Sequence, residues 1–361
     1  MAETIASFDF EEPQRKEERM SATGTSVKKR PKKVMNDPRG VVDEMLEGLV
    51  LANDGRIRKL PTVNALVRTK LHPNRVGLLI GGGSGHEPLF HGFIGENMAD
   101  GAACGNVFAA PSPDIVLEAT RAVNRGKGVL YLYGNYAGDN MNFDMGGELA
   151  AAEGIRVETI RIYDDVASAP PERASERRGI AGDLYMIKIV GAAVAAGLSL
   201  DEVLRVAKKA RDNVRTIGVA LWAGSIPETG EPTFILGDDE IEVGMGVHGE
   251  PGVKRQPMTT ADDMTVQMMD RLLVDIPYKR GDKVVLLVNS LGATTCMECL
   301  IVNRKARQIL ASQGIAVHAT DMGAFVTCQE MAGFSITLMK LDDELQRYYD
   351  LPADSFGYKK V

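Results

Sequence analysis

The chain has 361 residues, 44% of them hydrophobic and 25% charged. That is an ordinary globular composition, long enough for two domains with well-buried cores. No window holds the roughly 18 continuous apolar residues that a membrane span needs, and the formal net charge of −7 has the wrong sign for coating nucleic acid, so neither an integral membrane protein nor a nucleic-acid binder is expected.

Four cysteines are too few for a disulfide framework, and no charged-then-apolar signal segment opens the sequence, so the expected setting is cytoplasmic with reduced thiols. Cys296 and Cys299 form a Cys-x-x-Cys pair, but zinc would need a second pair, and no metal site is expected. Glycine is the outlier, 38 of 361 residues against a usual ~7%. Many of these glycines follow apolar runs directly, a pattern that lets backbone approach a ligand.

In chain order, residues 1–33 read as a disordered tail: large apolar residues are few, and an acidic stretch gives way to the basic run Lys28 to Lys33. Val41, Val42, Met45, Leu46, Leu49 and Val50 recur at helical spacing and predict a first amphipathic helix. Val76 to Ile80 reads as a short buried strand ending in a glycine loop, and Val129 to Tyr133 as another, followed by a helix that Gly154 closes. Val157 to Ile162 is a third strand. Two alanine-rich helices, about Asp183 to Ala196 and Leu200 to Asn213, follow, with Gly197 ending one and Ser199 capping the next. Beyond them come strands near Thr216 to Trp222, Ile241 to Val247, Val284 to Val288 and Ile315 to Ala319, and a helix from about Cys296 to Ser312. The alternation predicts an α/β protein of two α/β domains, each built on a central sheet flanked by helices, over 34–213 and 214–361. The segment after Gly323 is free in this reading to return to the first sheet.

Three loops carry chemistry. Gly81-Gly82-Gly83-Ser84-Gly85-His86-Glu87-Pro88 follows a buried strand, and its glycines would let amides point at a small polar ligand. It lacks the GK[ST] of a nucleotide loop, and Pro88 interrupts any dinucleotide fingerprint, which leaves a ligand loop or a tight turn. In Asn135-Tyr136-Ala137-Gly138-Asp139-Asn140-Met141-Asn142-Phe143, Asp139 is either a general base for a substrate hydroxyl or a helix N-cap, two compatible roles. In Gly244-Met245-Gly246-Val247-His248-Gly249-Glu250-Pro251-Gly252, His248 ends a glycine-alternating strand, as a ligand-facing ring or as a hydrogen-bonded turn histidine. The chain has five histidines, and two stand in Gly-His-Glu-Pro and His-Gly-Glu-Pro settings.

Together with Cys104 to Asp114, Arg177 to Gly182, Asn213 to Leu221 and Glu330 to Leu338, these loops closely resemble the dihydroxyacetone kinase family, specifically its ketose-binding K subunit, from about Val34 to the C-terminus and in family order. The resemblance implies that His248 adds through a ring nitrogen to the substrate carbonyl as a covalent hemiaminal, a bond a polyol cannot form. It implies that His86 and Asp139 orient and deprotonate the hydroxyl that receives the phosphoryl group. It places Gly83, and with it Ser84, Gly85 and Gly134, at the sugar. No segment resembles the family's nucleotide module, so ATP or ADP with Mg²⁺ is expected on a separate L-type subunit, with no cofactor in this chain, and a homodimer is expected.

Departures from the family bear on the substrate. Gly134 stands where a lysine usually reaches the sugar, Phe90 replaces a histidine with His91 beside it, and Ala109-Ala110 replace Thr-Ser. A smaller, less polar lining would accommodate a four-carbon ketose such as erythrulose at least as well as dihydroxyacetone. The two functions the sequence supports are a kinase subunit for a short ketose and a non-catalytic ketose sensor acting on a regulator. Retention of His86 and Asp139 favours the kinase, because a sensor would need only His248.

Overall fold

The computed structural model describes residues 32–361. The tail expected over 1–33 lies outside the described residues except for Lys32 and Lys33, and the Lys33 ammonium sits 2.6 Å from Glu330.

α1 (Val41–Ala52) buries Val42, Leu46 and Leu49 along one face, as their helical spacing requires. Then come β1 (Ile57–Lys59), β2 (Ala65–Arg68), β3 (Gly77–Ser84), β4 (Gly95–Glu96) and β5 (Gly101–Val107). They are followed by α2 (Pro113–Val123), β6 (Val129–Gly134), α3 (Ala137–Ala152) and β7 (Val157–Ile162). The first sheet has the order β1-β2-β5-β3-β6-β7, with β5, β3, β6 and β7 mutually parallel. Both faces are covered: Leu79, Tyr131 and Tyr133 pack beneath α2 and α3, while Leu78, Ile80, Leu130 and Leu132 point the other way. That two-sided burial is why these strands read as unbroken apolar runs.

α4 (Asp183–Ala195) and α5 (Leu200–Asp212) link the halves. α4 is buried around its whole girth from Asp183 to Val194, and the one lysine among these residues, Lys188, donates to the Tyr348 carbonyl at 2.7 Å. α5 begins at a capping box in which Ser199 and Glu202 satisfy each other's backbone amides. The second half comprises β8 (Val214–Trp222), β9 (Glu240–Val243), β10 (Lys254–Pro257), α6 (Ala261–Asp275), β11 (Lys283–Ser290), α7 (Cys296–Gln313), β12 (Ala316–Gly323) and β13 (Ala332–Leu341). Its sheet order is β10-β9-β8-β13-β11-β12. α6 and α7 cover one face with Met264, Met268, Cys299 and Val302. Val285, Leu287 and Met339 on the other face join the same core as β3 and α4.

The segment after Gly323 serves both halves. β13 lies between β8 and β11 in the second sheet, and after α8 (Asp343–Asp350) the strands β14 (Ala353–Ser355) and β15 (Lys359–Lys360) form a small sheet with β4. Two strand expectations are corrected. Gly81 to Ser84, read as a loop after the strand at Val76 to Ile80, continue β3 and pair with β5, whose close approach glycine permits. The run expected over Ile241 to Val247 stops at Val243, because Gly244 turns to φ +81° and takes the chain out of the ladder. Among the described residues no helix is long and apolar enough to cross a membrane.

Candidate functional site

Parallel strands deliver their loops to the same edge of a sheet, the usual ligand position in α/β folds. β3 carries the glycines Gly81 to Gly83 and ends just before Gly85-His86, β5 leads into Phe108-Ala109-Ala110, and β6 ends at Gly134 before the first turn of α3. The loop 244–252 of the second half closes over them. Between these segments lies a cavity of about 250 Å³ lined by Gly83, His86, Gly134, Asp139, Asp183 and His248, among others. Close backbone approach shapes it: a Cβ on Gly83 would come within 2.9 Å of the Ala109 amide nitrogen, and one on Gly179 within 2.5 Å of the Gly134 Cα.

Two histidines from distant parts of the chain meet here. His86 Nε2 lies 2.9 Å from His248 Nε2, while His86 Nδ1 lies 2.7 Å from the Thr327 carbonyl oxygen. A carbonyl only accepts, so His86 Nδ1 carries a proton and its Nε2 faces His248. His248 Nδ1 lies 3.2 Å from Glu250 Oε1, and its backbone amide donates to Glu250 Oε2 at 3.0 Å, so His248 Nδ1 is likewise the protonated nitrogen. With both Nδ1 atoms protonated, the facing Nε2 atoms are bare lone pairs while the rings are neutral, and one added proton held between them gives the pair a net positive charge. Burial, and next the charge of His248, push His86 down to about 4. Burial works against ionisation of Glu250, but the hydrogen bond and charge of His248 outweigh it and hold the carboxyl down at about 2. Phe108 packs against both imidazoles, with ring centroids 5.2 Å and 5.6 Å away, and Tyr136 meets His248 edge-on at 5.0 Å.

Asp139 is the third residue of α3 rather than its N-cap. The helix starts at Ala137, its N-cap is Tyr136, and no side chain caps it. Asp139 Oδ1 is buried without a hydrogen-bond partner, and burial, partly offset by His248, pushes the carboxyl up to about 6. Asp183, the first residue of α4, is a second carboxyl in the cavity, 1% exposed, whose Oδ1 also lacks a partner. Burial, then the charges of Asp164 and Asp139, hold it well above the usual carboxylate range.

Of the residues singled out in the sequence, His86, Asp139, His248, Gly83 and Gly134 line one cavity. Ser84 and Gly85 do not. The Ser84 hydroxyl turns to the Gly105 carbonyl and to His91, and the Gly85 amide donates to Glu87. Sequence reasoning missed Tyr136, Asp183, Glu250 and Thr327. Glu250 was legible in the repeated His/Glu/Pro setting and Tyr136 in the Asp139 loop. Nothing local marks Asp183 or Thr327.

Comparison with known proteins gives a match of residues 47–357 to the Dak1 domain. The dihydroxyacetone-binding subunit of PTS-dependent dihydroxyacetone kinase 2 from Listeria innocua is 43% identical over 330 residues, spanning 91% of this chain and 99% of that one. The L-erythrulose kinase of Pectobacterium atrosepticum is 39% identical over 91% of this chain, which spans 56% of that longer protein. The crystal structure of the dihydroxyacetone kinase of C. freundii superposes with a TM-score of 0.84 at 32% identity, over 91% of this chain and 60% of that chain. The same enzyme has also been solved with AMP-PNP and Mg²⁺. A dihydroxyacetone kinase operon co-activator superposes with a TM-score of 0.82 at 32% identity, over 87% of this chain and 97% of that chain.

Proposed function

The chain belongs to the dihydroxyacetone kinase family as a DhaK-like, Dak1-domain member, and from that premise we propose that it binds a short ketose covalently on His248 and presents it for phosphorylation by a partner subunit. The observation that carries this reading is the pairing of His86 and His248 through their Nε2 atoms, in one cavity with Asp139.

The chemistry balances on these residues. When the pair carries one added proton and His86 Nε2 holds it, so that His86 is the imidazolium, the Nε2 lone pair of His248 is free to attack the ketone carbon. The carbonyl π pair moves to oxygen, His86 returns the proton to that oxygen, and a neutral hydroxyl remains. The alkylated imidazole is left cationic, and Glu250, 3.2 Å from its Nδ1, balances that charge. A polyol offers no carbonyl and is excluded from the bond. Asp139, ionised, then accepts the proton of the substrate hydroxyl as its oxygen attacks the transferred phosphoryl group.

ATP or ADP with Mg²⁺ is assigned to an L-type partner subunit. In support, the Listeria relative, spanned almost end to end by this chain, is named a PTS-dependent dihydroxyacetone-binding subunit. A homodimer in the cytoplasm completes the reading. The second reading, a ketose sensor that acts on a regulator, draws on the likeness to the operon co-activator. Asp139 favours turnover, because covalent capture needs no base for a hydroxyl. The two separate on one experiment: the purified chain, mixed with ketose, a nucleotide-binding L-type subunit and Mg²⁺, with ATP as donor or with ADP and the phosphotransferase proteins. Ketose phosphate is expected to accumulate with one of the two donors. Ketose binding with no turnover in either mixture would make the chain a sensor.

A further inference from the structure

Buried polar groups in folded proteins are paired, and those that are not call for a partner from outside. Three such groups converge on this cavity: Asp139 Oδ1, Asp183 Oδ1 and the Tyr136 hydroxyl, each buried and without a hydrogen-bond partner. All three residues line the same cavity of about 250 Å³. A cation would satisfy two carboxylates, but burial holds Asp183 well above the usual carboxylate range and so toward its neutral form, while Asp139, at about 6, ionises to serve as the base. In its neutral form Asp183 donates and accepts a hydrogen bond, as a hydroxyl does. Gly134 and Ala110 beside them supply no polar side chain.

The count of groups selects the ligand. If Asp139 takes the hydroxyl to be phosphorylated, Asp183 and Tyr136 remain for two more. Apart from the former carbonyl oxygen, which His86 serves, a three-carbon ketose has two hydroxyls, so one of the three protein groups stays buried and unpaired. A four-carbon ketose has three. We infer that Asp183, assisted by the Tyr136 hydroxyl, is the specificity-determining group of this site and binds the hydroxyl that a four-carbon ketose has and dihydroxyacetone lacks. This inference rests on the ketose-binding reading and adds the substrate's length and the residue that selects it. Leaving one buried group unpaired corresponds to a discrimination of about tenfold to hundredfold in affinity.

The test uses the full chain and carbonyl-labelled dihydroxyacetone, D-erythrulose and L-erythrulose, with affinities read from the tetrahedral carbon signal. At least one erythrulose is expected to bind about tenfold or more tightly than dihydroxyacetone. Asp183→Ala is expected to lower that affinity ratio by about tenfold, Tyr136→Phe to lower it less, and Asp183→Asn, which keeps a donor and an acceptor, to restore part of it. Circular dichroism of each variant checks that the fold is kept. A ratio unchanged in Asp183→Ala, or dihydroxyacetone preferred by the unaltered chain, overturns the role of Asp183 while leaving ketose binding in place. Absence of any ketose signal in the unaltered chain overturns both.

Discussion

At the scale of residues, the site works by fixing protons. Thr327 and Glu250 each hold the Nδ1 side of one imidazole, so the two Nε2 atoms meet at 2.9 Å, where one added proton would supply the acid beside the nucleophile that the proposed capture requires. In the proposed mechanism Asp139 is the base, and its pKa, raised by burial to about 6, gives phosphoryl transfer a pH signature. A base acts only when ionised, so the rate should rise about tenfold per pH unit below 6 and level off above it. In Asp139→Asn that limb should vanish and transfer should fall by about 10²–10⁴, while the tetrahedral ketose adduct persists. Single-turnover rates between pH 5 and 8 check this, and an undiminished rate would remove Asp139 from the role of base. The sequence made His86, Asp139 and His248 legible because each stands in a dense local motif. Thr327 was illegible because its contact to His86 spans 241 positions, and Asp183 because an aspartate opening a helix reads as ordinary helix chemistry.

At the scale of elements, glycine is what lets three loops share one small volume. Gly179 is the clearest case. A Cβ there would lie 2.5 Å from the Gly134 Cα, 2.7 Å from the Ile162 carbonyl oxygen and 3.1 Å from the Asn135 amide nitrogen, all backbone atoms that cannot swing aside. Gly179→Ala is therefore expected to cost about 1–3 kcal/mol and to displace the β6–α3 turn that carries Asp139. Urea unfolding measures the first effect and loss of ketose capture the second. A neutral result in both would mean the loops tolerate a wider spacing. Most helices and buried strands were readable from periodicity and caps. β13 (Ala332–Leu341) was not assigned as a strand, although Phe334, Ile336 and Leu338 alternate along it, because the segment after Gly323 was left without elements of its own. The strand before His248 was read four residues too long, because Gly244 and Gly246 look like alternation in sequence but act as a turn in space.

At the scale of the molecule, the site exists only where the two halves meet, so whatever joins them supports it. One junction is ionic: the Arg177 guanidinium, 1% exposed, forks onto Asp275 at the end of α6, with Arg215 on the same carboxylate. The Arg177 carbonyl also accepts from Asn135 at 2.7 Å, which ties this junction to the Asp139 loop. Removing one partner of a buried pair strands the other, so Asp275→Ala should destabilise the protein by about 3–5 kcal/mol. Because β3, α4 and β11 share one core, that loss should appear as a shift of a single unfolding transition, with far-ultraviolet circular dichroism and hydrogen exchange in β6 and β13 moving together. Separate transitions would contradict a shared core.

The central claim is that His248 and His86 together make a ketone-capturing nucleophile. Carbon NMR of carbonyl-labelled erythrulose and dihydroxyacetone mixed with the purified chain tests it without any partner. A ketone carbon is expected to become tetrahedral with the unaltered protein and to stay trigonal with His248→Ala. A tetrahedral signal that survives in His248→Ala, or none with either ketose on the unaltered chain, would contradict it.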